Sequence, residues 1–220
     1  MSTQTTNYLD IIERLPAGAK LELPNVDWDE YENLLSQMDI LPGHRLSYDR
    51  GRLTVVSPNR KHEFYKLFFG RMAQVLAEEL KINVEATGAT TLRRRSLGQG
   101  IEPDESYYVG NAATVIDHLE FDLSVDPPPD VAIEIDITSD SLDKLPVYAA
   151  LGVLEVWRYD GEAMRFYQLV GENYELIQNS LAFPVLTAED LTQCLKQCKA
   201  EGQTAAAAAF RQMLRSRASS

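Results

Sequence analysis

Polar and apolar positions change their rhythm several times along the chain, and each change marks an element. Residues 1–26 keep no sustained period and are expected to form a loosely packed arm. Asp27-Trp28-Asp29-Glu30 then opens a helix, DWDEYENLLSQM, with acids in the first turn where the helix dipole favours them. His44–Tyr48 and Arg52–Val56 flank Asp49-Arg50-Gly51, a short glycine-containing turn that predicts a β-hairpin. From about residue 61 the period lengthens. Phe64, Phe68, Met72, Leu76 and Leu80 recur at i+4, with Leu67 and Val75 widening the stripe, so a long amphipathic helix is expected. Asn83–Glu85, Ala89–Arg94 and Glu102–Val109 read as strands. Residues 110–129 read as a loop running into Asp126-Pro127-Pro128-Pro129-Asp130, which no helix or central strand tolerates.

Val131–Ile137 is the clearest strand. Val131, Ile133, Ile135 and Ile137 share one face, and Glu134 and Asp136 share the other. Ser139–Ser141 offer N-caps for a helix running to about Leu151, with Pro146 near its start and Gly152 closing it. Leu154–Tyr159, Ala163–Val170 and Tyr174–Ile177 follow as strands. Two helices, about Thr187–Lys199 and Thr204–Ser216, end the chain. A mixed α/β fold is the expectation.

Composition narrows the class. The chain has 220 residues, 45% hydrophobic and 25% charged, which suits one globular domain and excludes wholesale disorder. Its two cysteines cannot form a disulfide scaffold. No run reaches the ~20 apolar residues of a membrane helix, and the N-terminus lacks the basic start and apolar core of a secretory leader. A cytoplasmic protein with no membrane partner is therefore expected. A net charge of −12 argues against nucleic-acid binding through bulk positive charge, though not through a local patch and a metal.

The candidate chemistry lies in the acids. Glu134 and Asp136 stand ~7 Å apart on one strand face, a costly pairing on an interior strand unless a cation offsets it. The competing explanation is an edge strand with a solvated polar face. Asp104 follows Pro103 at the start of another strand. Lys144 sits near a helix N-terminus, where a cation opposes the dipole, so an anionic partner would account for it. Two or three carboxylates suit a hard cation such as Mg²⁺, and a neighbouring ammonium suits a phosphate or its attacking water.

Glu102-Pro103-Asp104, Pro128-Pro129-Asp130 leading into Ile133-Glu134-Ile135-Asp136-Ile137-Thr138-Ser139, and Lys144-x-x-x-Tyr148-x-x-x-Gly152-Val153-x-Glu155-Val156-Trp157 carry a resemblance. From roughly Asp27 to Leu195 the chain resembles the putative restriction endonuclease family of the PD-(D/E)XK nuclease superfamily. The resemblance implies a restriction-endonuclease-like core, a central mixed β-sheet flanked by helices, here with an extra N-terminal hairpin and C-terminal strands and helices. It implies a metal-dependent endodeoxyribonuclease using Mg²⁺ or Mn²⁺, with DNA as partner and a homodimer as a common arrangement. Asp104 and Glu134 match the superfamily acids and would hold the metal. Asp136 stands where the superfamily lysine is found, and Lys144 is the candidate replacement. Glu63, beside His62 on the first core helix, and Asp136 are auxiliary candidates. Any DNA contact would come from Arg93-Arg94-Arg95 and from Arg50, Arg52, Arg60 and Lys61, weakly and with strong salt dependence. The other reading is a non-catalytic, nuclease-derived binding or assembly module. The expected division is an arm over 1–26, the nuclease-like domain over 27–200, and a dispensable helical tail over 201–220.

Overall fold

The computed structural model describes residues 3–37, 43–118, 121–137 and 142–218. The elements run α1 (Thr3–Glu13), β1 (Lys20–Pro24), α2 (Trp28–Gln37), β2 (Arg45–Asp49), β3 (Arg52–Val56), α3 (Arg60–Leu80), β4 (Glu85–Ala86), β5 (Leu92–Arg94), β6 (Gln99–Ile101), β7 (Glu105–Tyr108), β8 (Val131–Ile135), α4 (Leu145–Leu151), β9 (Glu155–Tyr159), β10 (Met164–Val170), β11 (Asn173–Ile177), α5 (Ala188–Glu201) and α6 (Gln203–Ala218). The fold is mixed α/β.

The strands form two sheets. One is antiparallel, in the order β1-β3-β2-β6-β5. The other runs β11-β10-β9-β8-β7-β4 and is antiparallel except where β8 meets β9. That parallel pair needs a crossover, and α4 supplies it. Pro146 stands in the first turn of α4, and Gly152, at φ 85°, caps its end in the left-handed conformation. Val153 then turns into the core. The expected N-caps at Ser139–Ser141 lie outside the described residues.

Alternation along β8 decides the architecture. Val131, Ile133 and Ile135 pack into the main core with α3, α5 and α6. Ala132 faces the other way, into a second cluster with Val147, Tyr148 and Leu151 of α4 and with Leu92 and Ile101 of the first sheet. Helix α4 thus covers the face that carries Glu134. Every residue of β8 is buried, so the solvated edge strand is excluded.

Several details depart from expectation. Leu67 is 63% exposed, because the buried stripe of α3 runs through Tyr65, Phe68, Phe69, Met72 and Leu76 instead. Strand β6 is hidden in the sequence by its central glycine. Gly100 has no alternative there, since a Cβ would lie 2.4 Å from the Tyr31 hydroxyl. The arm is packed: β1 pairs with β3, and Ile12 and Val26 are buried with Tyr31, Leu34 and Leu53. The C-terminal helix is packed too. Ala206, Ala207, Phe210 and Leu214 lie in the main core, and Arg211 and Arg215 pair with Glu79 of α3, so nothing in its packing makes α6 a loose tail. Cys194 and Cys198 are buried, unlinked thiols. No helix of the described residues is long and apolar enough to cross a membrane.

Candidate active site

The ends of β7 and β8, the start of α3 and the start of α4 converge on one small cleft. His62, Asp104, Glu134, Asp136 and Lys144 all line it, with Arg45 from β2 on its wall. Asp104 lies immediately before β7 and is joined to β8, its amide donating to the Ile133 carbonyl. Its carboxylate in turn accepts from the Ile135 amide at 2.7 Å. Glu134 projects from β8 towards α4. There its Oε2 accepts from the Lys144 ammonium at 2.7 Å and its Oε1 from the Tyr148 hydroxyl at 2.5 Å. Lys144 and Tyr148 are one helical turn apart, so a single helix start presents both donors to one carboxylate. The lysine that opposes the helix dipole does have its anion.

Asp136 follows β8 and pairs with Arg158 of β9. The register explains it: Glu134 sits directly beside Arg158 in the parallel ladder. Asp136, the acid expected to stand at the motif lysine, thus already has a buried guanidinium partner.

His62 enters from α3. Asn59 caps that helix by accepting from the His62 amide at 2.9 Å, which fixes the first turn. The buried ring places Nε2 3.0 Å from Asp104 Oδ2. Glu63 points away, with a side chain 43% exposed, and approaches only the outer ring nitrogen of His62, at 3.5 Å. On the helix, then, it is His62 and not Glu63 that reaches the cleft. Its place was legible in part, because His62, Tyr65, Phe69, Met72 and Leu76 share one helical stripe. Tyr148 and Arg158 carried no signal beyond their spacing.

The electrostatics follow from this crowding. Burial pushes the Glu134 carboxyl up, Lys144 pulls it back, and the charges of Asp104 and Asp136 raise it again, to about 7. Burial also opposes ionisation of Asp104. The hydrogen bond and charge of His62, the charge of Lys144 and the Ile135 amide outweigh it, and its pKa falls below the ordinary value. Burial disfavours the His62 cation, but the hydrogen bond and charge of Asp104, with Glu63 and Glu134 farther off, raise its pKa. Lys144 is held above its usual range against desolvation by Glu134, Asp104 and Asp136.

Among the described residues no three His, Cys, Asp or Glu side chains form a ready cluster for a metal ion. The donor chemistry nevertheless fits Mg²⁺, which keeps several waters and is commonly held by one or two carboxylates. Asp104 and Glu134 are hard oxygen donors on adjacent strands. Each carboxylate oxygen has two lone pairs, so the bonds from His62, Ile135, Lys144 and Tyr148 leave acceptor capacity.

The basic groups expected to meet DNA are largely spent on neighbours. Arg93 pairs with Glu32 at 3.3 Å, and Arg95 with Asp29 at 2.5 Å and Glu32 at 3.5 Å. Arg94 donates to the Leu123 carbonyl, and Arg50 pairs with Asp49.

A family model described as "Uma2: Putative restriction endonuclease" matches residues 28–198. Among solved structures, a putative nuclease belonging to DUF820 from Anabaena variabilis ATCC 29413 is similar, at 17% sequence identity over 67% of this chain and 89% of that chain, with a TM-score of 0.46. No curated protein matches the chain.

Proposed function

The chain belongs to the Uma2 putative restriction endonuclease family, and on that premise we propose that it is a metal-dependent endodeoxyribonuclease that hydrolyses DNA phosphodiester bonds. The observation that carries the reading is the meeting of Asp104, Glu134 and Lys144 in one cleft, with the Lys144 ammonium 2.7 Å from Glu134. Asp104 and Glu134 would hold the ion, Mg²⁺ or Mn²⁺. When bound, it supplies Lewis acidity, an activated water and charge neutralisation.

The protein groups divide the remaining work. Lys144 keeps its proton, since its pKa is raised, so it acts as a hydrogen-bond donor and fixed charge and not as a base. In that role it orients the attacking water or stabilises the charge that develops on the phosphorane. Tyr148 likewise stays protonated and holds the Glu134 carboxylate in place. Asp136, neutralised by Arg158, is a second-rank ligand, and Glu63 is more remote still. His62 holds the Asp104 carboxylate in position.

One observation favours a second reading, a nuclease-derived module without catalysis. Each cleft carboxylate already has a protein partner: Glu134 has Lys144, Asp104 has His62, and Asp136 has Arg158. A closed, balanced network of this kind can persist without metal. The deciding experiment is cleavage of supercoiled and single-stranded DNA with Mg²⁺ or Mn²⁺, against Asp104→Ala. Metal-dependent cleavage lost in the variant supports the enzyme. Its absence from the wild type under all conditions leaves the module.

A further inference from the structure

Four cations stand in or beside the cleft, and three of them each face a carboxylate at ion-pair distance. His62 faces Asp104, Lys144 faces Glu134 and Arg158 faces Asp136. Arg45 differs. Among the described residues its guanidinium makes one hydrogen bond, from Nη1 to the His44 carbonyl at 3.0 Å. Its Nε–H is buried and finds no partner among the described residues. Two acids feel its charge, Glu102 and Glu105, but both are engaged elsewhere. Glu102 accepts from the Leu46 amide at 2.8 Å and the Thr91 hydroxyl at 3.0 Å, while Glu105 lies 3.7 Å from the Lys66 ammonium.

A buried guanidinium donor left open is costly in a folded protein and calls for a ligand. The surroundings say which ligand. Arg45 shares its cleft with the two carboxylates proposed to hold a divalent ion, so an anion that arrives with that ion is wanted. The planar fork of arginine matches a phosphate through two parallel hydrogen bonds. The residue is also well mounted: β2 is paired on both sides, with β3 and β6, and Arg45 lies opposite Val56, which lines the same cleft.

We propose that Arg45 is the phosphate-holding residue of the cleft, gripping the non-bridging oxygens of a DNA phosphate from the first sheet while the acids of the second sheet face it. The assignment rests on the nuclease reading for the identity of the phosphate as DNA. It makes a sequence-independent contact, so its loss should weaken all duplexes alike.

Anisotropy of a labelled duplex tests it, measured with Ca²⁺ in place of Mg²⁺ across a salt series, for wild type, Arg45→Gln and Arg45→Lys. Thermal melting with inorganic phosphate provides a second arm. Arg45→Gln should lose about tenfold or more in affinity and lower the salt slope by about one, and Arg45→Lys should recover the slope but only part of the affinity. Phosphate should raise the wild-type melting temperature and leave that of Arg45→Gln unmoved. Arg45→Gln should itself melt no lower than wild type, since it removes an open buried donor. Equal affinity and slope in wild type and Arg45→Gln would overturn the assignment while leaving the nuclease reading to its cleavage assay. A wild type that ignores DNA but is stabilised by phosphate through Arg45 would keep the phosphate site and sink the nuclease reading. A wild type that responds to neither overturns Arg45.

Discussion

Glu134 on β8 and Glu155 on β9 are both shielded from water, 2% and 0% exposed, on strands that pair with one another. Burial raises the pKa of both. Their company differs. Glu155 accepts from the Trp157 indole at 2.7 Å, the Ser180 hydroxyl at 3.1 Å and the amides of Leu181 and Ala182 at 3.0 Å each. All four donors are neutral, and the three from Ser180, Leu181 and Ala182 pin the segment after β11 to the sheet. Glu134 instead shares its space with a lysine, a tyrosine and two more acids. A buried carboxylate among neutral donors is a structural staple. One crowded by other acids is held by a cationic partner, here Lys144. Burial and a raised pKa are common to both, so neither identifies a site alone.

The comparison breaks first on stability. Glu155→Ala strands an indole N–H and two amides without an acceptor, at ~1–3 kcal/mol each, so the loss should total roughly 3–9 kcal/mol. Denaturant unfolding measures it, and Mg²⁺ should restore none of it. A loss below about 1 kcal/mol would mean that water replaces the carboxylate, and the staple account fails.

Glu134→Gln should do the reverse. The change is nearly isosteric and lowers the acid count of the cleft from three. The variant should fold, and above neutral pH melt no lower than wild type. Its cleavage rate should fall ~10²–10³-fold, the scale for losing a preorganised electrostatic group. Calorimetric titration with Mg²⁺ should lose its binding heat. Undiminished Mg²⁺ affinity would remove Glu134 from the ligand set.

Lys144→Met sharpens the contrast within the cleft. Without the ammonium, Glu134 and its neighbouring acids repel one another. Rate should drop by about 10²-fold, and the melting temperature should fall at low Mg²⁺ and partly recover when Mg²⁺ is added. An exposed lysine would produce neither, since surface charges contribute ~0–1 kcal/mol. A variant equal to wild type in rate and melting would end the assigned role.

Much of this was legible in the sequence for physical reasons, and the gaps have reasons too. The acidic strand, the hairpin and helix α4 follow from period and from glycine and proline placement, and Asp104, Glu134 and Lys144, singled out through the family resemblance, do line one cleft. Strand β6 was illegible because Gly100 answers to the Tyr31 ring and not to strand propensity. Leu67 was misplaced because two overlapping stripes run along α3, and tertiary packing chose the one through Tyr65 and Phe69. The arm and α6 were undervalued because much of their burial comes from partners distant in sequence: β3 for the arm, α3 for the helix. Alanine-rich α6 shows little amphipathic pattern, yet Ala206 and Ala207 permit close packing. Arg45 gave no signal because an uncommitted guanidinium is visible only once every neighbouring acid is seen to be committed.

The smallest effect is the pH dependence. Glu134 titrates at about 7 in the fold against an ordinary value of 4.5, so the folded state holds a proton that the unfolded state has released. Such a group contributes stability that is complete below about pH 4.5 and is lost as pH rises through 7. His62, also raised, acts in the same sense near and above its ordinary 6.5. Asp104, lowered, acts oppositely, and its contribution is lost only as pH falls below 3.8. Metal-free protein should therefore lose stability between about pH 5 and pH 8. Added Mg²⁺ should reduce the loss, because it favours the ionised acids. In Glu134→Gln the decline should be shallower, with the His62 share remaining. The test is denaturant unfolding at both pH values for the two proteins in chelator. An equal decline in both would mean that the drift arises elsewhere, with Glu155 the first suspect, and that the crowding of the cleft costs the fold nothing.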